Sequence, residues 1–196
     1  MMRTRTITTT AALLLALTAC NDGDSATQSN ADKPSQAASS KAPAKASAPP
    51  KPLPFGSGWK WTDTDEDSSP ISGTTTVLNY TQPAADVGLP DDIADSKNPE
   101  WAVLEVKVCV DSKSSSVTVS QEPWALGFPD DTRLDVPIFS GSGVPKPEYA
   151  TNGATVNPGD CLRGKITFDV ERGSRPDSVV YGAADRDTVE WAIPKA

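Results

Sequence analysis

The ionisable side chains limit the chemistry open to this chain of 196 residues, because histidine is absent from all of it. Without histidine, neither a Ser-His-Asp nor a Cys-His catalytic site can form, and the usual zinc sites of exported hydrolases are excluded as well. Carboxylates are the groups that remain. We therefore expect a protein that is not an enzyme and that uses no cofactor.

One acidic run, Asp63, Asp65 and Asp67, places carboxylates at alternate positions, as at the start of a calcium-binding loop. Such a loop needs glycine at its sixth position and glutamate at its twelfth, where this chain has Ser68 and Thr74. We expect a solvated turn here and no metal, with calcium binding as the alternative.

Two adjacent carboxylate pairs, Asp91 with Asp92 and Asp130 with Asp131, are the residue type that a glycosidase uses. From Phe55 onward, however, the chain contains 23 aspartates and glutamates, so pairs of this kind arise by chance. A hydrolase that relies on carboxylates alone is kept as an alternative function.

The first of three cysteines, Cys20, follows the features of an export signal. Arg3 and Arg5 precede an apolar run at residues 11–17, which is too short to cross a bilayer that needs roughly 20 apolar residues. Leu17-Thr18-Ala19-Cys20 resembles the lipobox of bacterial lipoproteins. The resemblance implies a signal peptide at residues 1–19 and a lipid on Cys20 that anchors an extracytoplasmic protein to the cell membrane. A plain secretory signal is the alternative.

The other two cysteines, Cys109 and Cys161, form an even pair in a chain that reads as exported. We expect them to be bonded, since disulfides form and persist in such compartments. A reactive or metal-binding pair is the alternative, but the two are not spaced as a C-x-x-C motif.

Residues 20–54 are predicted to be a lipidated cysteine followed by a disordered tether. Residues 21–54 include six prolines and many alanines, serines and lysines, with no aromatic residue and no apolar periodicity. Such a composition cannot offset the entropy lost on ordering. The tether is therefore expected to hold the domain at a distance from the membrane without folding itself.

The remaining part, residues 55–196, has the size of one domain and is strongly acidic. It contains 12 lysines and arginines against 23 aspartates and glutamates, a formal charge of −11. A surface of this kind repels phosphate backbones, so we expect no nucleic-acid partner. Solubility is the simplest reason for the charge.

Strand signals dominate this domain and predict an all-β fold with about seven strands. The clearest covers residues 101–110, where Glu105 and Lys107 alternate with apolar neighbours. Cys109 falls on the polar side, which conflicts with a disulfide between two sheets and suggests a bulge or an edge-on bridge. The other predicted strands are 74–81, 117–126 as one continuing segment, an edge strand at 134–139, 161–170, 179–181 and 189–193. A single helical turn is expected near Asp91.

The order of these segments resembles an immunoglobulin-like domain of unknown function found in secreted lipoproteins of high-GC Gram-positive bacteria. The resemblance covers residues 70–194 and rests on Cys109, the partner strand at 117–126, the run NPGDCLRGKITFDV at 157–170 and Trp191. It implies an immunoglobulin-like β-sandwich with one disulfide between the two cysteine-bearing segments, and it brings no catalytic residues.

Three aromatic residues form the candidate binding surface. Trp59 and Trp61 project to the same side of an extended segment and can stack on sugar rings or on a partner protein. Tyr149 lies in residues 140–160, a glycine- and proline-rich loop suited to recognition. Packing of the tryptophans in the core is the alternative.

Together these features predict a lipid-anchored binding or interaction module at the cell envelope, with an envelope protein or a cell-wall partner. A structural envelope protein is the alternative from another class.

Overall fold

Eleven strands and one short helix make up the part of the chain that the computed structural model describes, residues 51–182 and 188–195. Strands β1 to β4 are Leu53–Pro54, Gly58–Thr64, Pro70–Thr81 and Pro99–Val110. Strands β5 to β8 are Val117–Val119, Trp124–Gly127, Arg133–Asp135 and Ala154–Val156. Strands β9 to β11 are Cys161–Glu171, Ser178–Tyr181 and Val189–Ala192, and a 3-10 helix covers Asp91–Ile93. No helix in these residues is long and apolar enough to span a membrane.

The strands form a sandwich of two main sheets, which confirms the predicted fold class. One sheet has the order β1-β11-β10-β6-β7 and the other β2-β3-β4-β9, while β5 and β8 make a separate two-stranded sheet. Only β1 pairs in parallel, with β11; all other strand pairs are antiparallel. The core between the sheets is built from large apolar residues, among them Trp124, Trp191, Phe168, Leu104 and Ile166.

Strand β4 follows its predicted alternation. Leu104, Val106 and Val108 are buried, whereas Glu105 and Lys107 are half-buried on the other face. Arg163 on β9 lies beside Glu105 and forms an ion pair with it at 2.8 Å. The polar face at this end of the sheet therefore meets solvent, as a period of two requires.

Strand β9 departs from its predicted alternation, because Thr167 and Asp169 are buried although they belong to the polar face. Residues 82–98 and 137–149 cover this outer face. The Ser96 backbone N–H donates to Asp169 Oδ2 at 2.9 Å, and Phe139 packs edge-on against Trp101 with ring centroids 5.2 Å apart. A second, smaller buried layer thus lies outside the sandwich, which local periodicity cannot reveal.

The predicted disulfide joins Cys109 and Cys161, but within one sheet rather than between the two. The cysteines are directly opposite each other in the β4–β9 register, with Cα atoms 4.0 Å apart. The bridge lies on the polar face beside Lys107, so the conflict noted in the sequence needs no bulge. Regular cross-strand pairing alone brings the two sulfurs together.

Several predicted bounds were wrong, and the described residues contain eleven strands where about seven were predicted. The strand predicted at 74–81 begins at Pro70. The single strand at 117–126 is two strands in different sheets, separated by a turn in which Gln121 Nε2 donates to the Tyr149 carbonyl at 2.7 Å. The edge strand predicted at 134–139 is β7 and lies at an edge, but it ends at Asp135, before Pro137. Leu53 and Pro54, assigned to the tether, pair with β11.

Candidate ligand-binding cleft

A cleft of about 420 Å³ opens where β10 ends and β6 begins, and we call it the central cleft. Its walls come from three places: β2 and β4 of one sheet, β5 with the turn that follows it, and the end of β10. The lining residues are Trp61, Val108, Val117, Thr118, Val119, Ser120, Glu122, Pro123, Tyr181 and Gly182. A concave site with mainly apolar walls and a few polar groups is the usual form of a ligand pocket.

Aromatic packing fixes one wall of the central cleft. The Tyr181 ring packs edge-on against Trp124 with centroids 4.8 Å apart and meets Trp59 at 5.9 Å. Trp124 in turn contacts Trp191, which is fully buried. Because Tyr181 is held by large rings, it presents a preformed surface to the cleft rather than one that must be ordered on binding.

The structure corrects the prediction for Trp59 and Trp61. Both project to the same side of β2, but this side faces inward, so that Trp61 is only 8% exposed and Trp59 is half-buried. Trp61 Nε1 donates to Thr75 Oγ1 at 3.1 Å, which holds the indole against the neighbouring strand β3. The pair therefore forms no exposed platform, and Trp61 contributes instead to a wall of the central cleft.

Tyr149 is also not part of a binding surface, since it is only 1% exposed. Its backbone N–H donates to the Lys165 carbonyl at 2.9 Å, so the segment is added to the edge of β9. Burial raises the pKa of the Tyr149 phenol above its ordinary range. The predicted recognition loop is thus partly an integral layer of the fold.

The acidic run between β2 and β3 is a turn. Asp65 Oδ1 accepts hydrogen bonds from the backbone N–H groups of Asp67 at 3.0 Å and Ser69 at 2.7 Å. This carboxylate therefore satisfies the turn's own backbone. Within residues 51–182 and 188–195, no three acidic or cysteine side chains are placed to hold a metal ion.

The two carboxylate pairs considered for hydrolysis lie in separate loops. Asp91 Oδ1 accepts a hydrogen bond from Trp101 Nε1 at 3.3 Å, whereas Asp130 Oδ1 accepts one from Thr132 Oγ1 at 2.6 Å. That hydrogen bond lowers the pKa of the Asp130 carboxyl, together with a second one from the Thr132 backbone. Neither pair lines the central cleft.

Sequence reasoning missed the wall formed by residues 117–123, because it treated 117–126 as one continuous strand. Pro123 and the polar pair Gln121 and Glu122 were the available signal, since proline interrupts a central strand. Tyr181 was assigned only to a strand. Its position at the end of that strand, beside Gly182, was the second usable signal.

Comparisons with known proteins bear on the fold. Residues 139–191 match a family described as domain of unknown function (DUF1942), and this range contains the whole run at 157–170. No curated protein matches the chain significantly. The crystal structure of MPT63, a secreted protein from Mycobacterium tuberculosis, is similar, with 23% sequence identity and a TM-score of 0.54. The similarity covers 75% of this chain and all of that one, so the two proteins share the β-sandwich fold.

Proposed function

We propose that this protein is an extracytoplasmic binding module that is held at the cell envelope by a lipid on Cys20 and that binds a partner at the central cleft. The observation that carries the proposal is the cleft itself, about 420 Å³ in volume, with an aromatic wall that packing holds in place. The similarity in fold to a secreted protein supports a location outside the cytoplasm.

Binding accounts better for the cleft than catalysis does. Glu122 is the one ionisable carboxylate among the described lining residues, and a carboxylate-only hydrolase requires two. Tyr181, Trp61 and the valines of β5 provide apolar contact area instead. A structural envelope protein, the second alternative, would have no need of a concave aromatic site.

The tether and the lipid give such a module an advantage. A domain held at a membrane searches a limited volume, and its effective concentration for targets on the same surface rises without any new contact. Modest affinity at the cleft is then sufficient. The charge of −11 on residues 55–196 favours basic partners and predicts that binding weakens with salt.

The experiment is capture of a partner from solubilised cell envelope by the immobilised protein, with a variant that fills the cleft. Gly182→Trp is suitable because Gly182 lines the cleft and a Cβ at this position would have only an ordinary contact, 3.8 Å from Thr188 Oγ1. Thr62→Trp, on an exposed position of β2, is the control. We expect the captured species to be lost with Gly182→Trp and retained with Thr62→Trp. Equal capture by both variants would remove the central cleft from the function.

A further inference from the structure

Three depressions adjoin along residues 116–123. The central cleft shares Val117 and Thr118 with an acidic depression of about 640 Å³ next to the β2–β3 turn. It shares Glu122 with a third depression of about 370 Å³ that contains Ile138, which we call the Ile138 depression. One stretch of chain thus forms a wall common to all three.

The contiguity of the three depressions favours a ligand that is longer than any one of them. A compact small molecule would occupy one depression and leave the other two empty. A polypeptide segment in extended conformation can pass from one depression to the next and turn every second side chain toward them.

The three depressions share the same chemistry. The acidic depression combines Asp65, Glu66 and Asp67 with Ile71, and the central cleft combines Glu122 with aromatic and valine side chains. The Ile138 depression combines Glu122 and Asp135 with Val136, Pro137 and Ile138. No lysine or arginine is among the described residues that line any of them. Each site therefore suits an apolar group next to a positive charge.

Ile138 adds an independent sign of a partner. Its side chain is 84% exposed, and Ile93 is the other large hydrophobic residue exposed within the described part of the chain. Ile138 follows Pro137, and its neighbour Phe139 is packed against Trp101, so the residue is presented from an anchored segment. Because Ile138 also lines its depression, it offers a ligand there an apolar contact surface.

We infer that the partner of this module is an extended polypeptide segment in which basic residues alternate with apolar ones, and that it lies along residues 116–123. The inference rests on the proposed function and specifies its ligand. Apolar side chains enter the three depressions. The intervening basic side chains leave the backbone on the opposite side, and their long flexible stems let the charged ends reach the carboxylates at the rims. The charge of −11 on the domain assists the approach of such a segment.

Three fluorescent octapeptides test the inference by anisotropy with the purified protein: alternating Lys-Leu, alternating Lys-Ser and alternating Glu-Leu. The first has both required properties, the second lacks the apolar groups and the third lacks the positive charge. We expect the Lys-Leu peptide to bind at least about tenfold more tightly than either of the others, a difference of about 1.4 kcal/mol.

Two surface variants locate the binding site. Glu122→Lys reverses the charge shared by the central cleft and the Ile138 depression, and Thr118→Arg puts a cation on the wall shared by the central cleft and the acidic depression. Both residues are exposed, so the core is unchanged. Glu171→Lys and Thr62→Arg, also exposed and outside the three depressions, are the matched controls. We expect both site variants to weaken Lys-Leu binding about tenfold or more and both controls to leave it within about twofold.

The outcomes separate the inference from the proposed function. Binding of the Lys-Leu peptide that is equal in Glu122→Lys and Glu171→Lys would show attraction to the overall charge and would overturn the inference. If the Lys-Leu peptide does not bind but Gly182→Trp abolishes envelope capture, the inference is overturned and the proposed function of the cleft stands. If the Lys-Leu peptide does not bind and Gly182→Trp captures as much as Thr62→Trp does, both the inference and the proposed function are overturned.

Discussion

Replacing Gly164 with alanine should destabilise the fold strongly, because this position on β9 has backbone packed directly on it. An added Cβ would lie 2.6 Å from both the Cα and the N of Tyr149 and 3.0 Å from the carbonyl carbon of Glu148. Real side chains do not approach backbone atoms so closely, so the segment containing Glu148 and Tyr149 must move away. The neighbouring atoms are main chain, and no rotamer change can relieve the contact.

The loss of stability can be estimated from the hydrogen bonds that this movement breaks. Two hydrogen bonds join the segment to β9, from Tyr149 N–H to the Lys165 carbonyl at 2.9 Å and from Lys165 N–H to the Pro147 carbonyl at 2.8 Å. Each contributes about 1 kcal/mol, and overpacking a tight site costs about 1 to 3 kcal/mol. We expect the free energy of unfolding to fall by about 3 kcal/mol.

Urea unfolding followed by tryptophan fluorescence measures this loss. Gly182→Ala is the matched control, because its Cβ would have ordinary contacts and the variant should stay within about 0.5 kcal/mol of the parent. Amide exchange at Tyr149 and Lys165 gives a local readout, and both amides should lose protection in Gly164→Ala. A loss of stability below about 1 kcal/mol, with both amides still protected, would refute the close packing described for Gly164.

Three further predictions concern the cysteines and the buried phenols. Replacing both Cys109 and Cys161 with serine should lower the free energy of unfolding by about 4 kcal/mol, since the disulfide closes a separation of 52 residues and so restricts the unfolded chain. Urea unfolding of the double variant measures this loss, and an unchanged midpoint would contradict the prediction. Cys20→Ser should shift the protein from the membrane fraction to the medium or leave uncleaved precursor, and immunoblots of both fractions would expose unchanged membrane retention. Burial raises the pKa of Tyr80 and of Tyr149 well above the ordinary value of a phenol, so the stability that their neutral forms provide is present below the unfolded pKa of about 10 and is lost as pH rises above it. The urea midpoint should therefore fall between pH 9 and pH 11, and less so in Tyr149→Phe; an identical fall in that variant would contradict the assignment to Tyr149.

Local pattern was enough to predict those features that depend on one strand and its direct neighbours. The alternation around Glu105 and Lys107 predicted β4. The pairing of Cys109 with Cys161 followed from the cysteine count and the export signal. The all-β fold class could likewise be predicted from local strand signals.

Features that depend on distant segments were not predictable in the same way. Thr167 and Asp169 resemble solvent-facing residues of a strand until residues 82–98 and 137–149 cover them. Trp61 packs inward and donates a hydrogen bond to the hydroxyl of Thr75 on the next strand, a contact that the local sequence pattern does not reveal. The central cleft arises where β2 and β4, β5 with the turn that follows it, and the end of β10 come together, and this depends on topology rather than on any one stretch of sequence.

The segment that starts with β1 has a mechanical consequence. Leu53 and Pro54 pair with β11 in one sheet, while the Gly56 backbone N–H donates to the Val77 carbonyl of the other sheet at 2.8 Å. The Ser57 carbonyl then accepts a hydrogen bond at 3.0 Å from Nε1 of Trp191, and Trp191 is fully buried. Tension applied on the N-terminal side of Leu53 is therefore divided between both sheets and the aromatic core. A domain pulled from this end resists as one body, and the load reaches β11 in shear, along the strand, rather than by opening one pair of residues at a time.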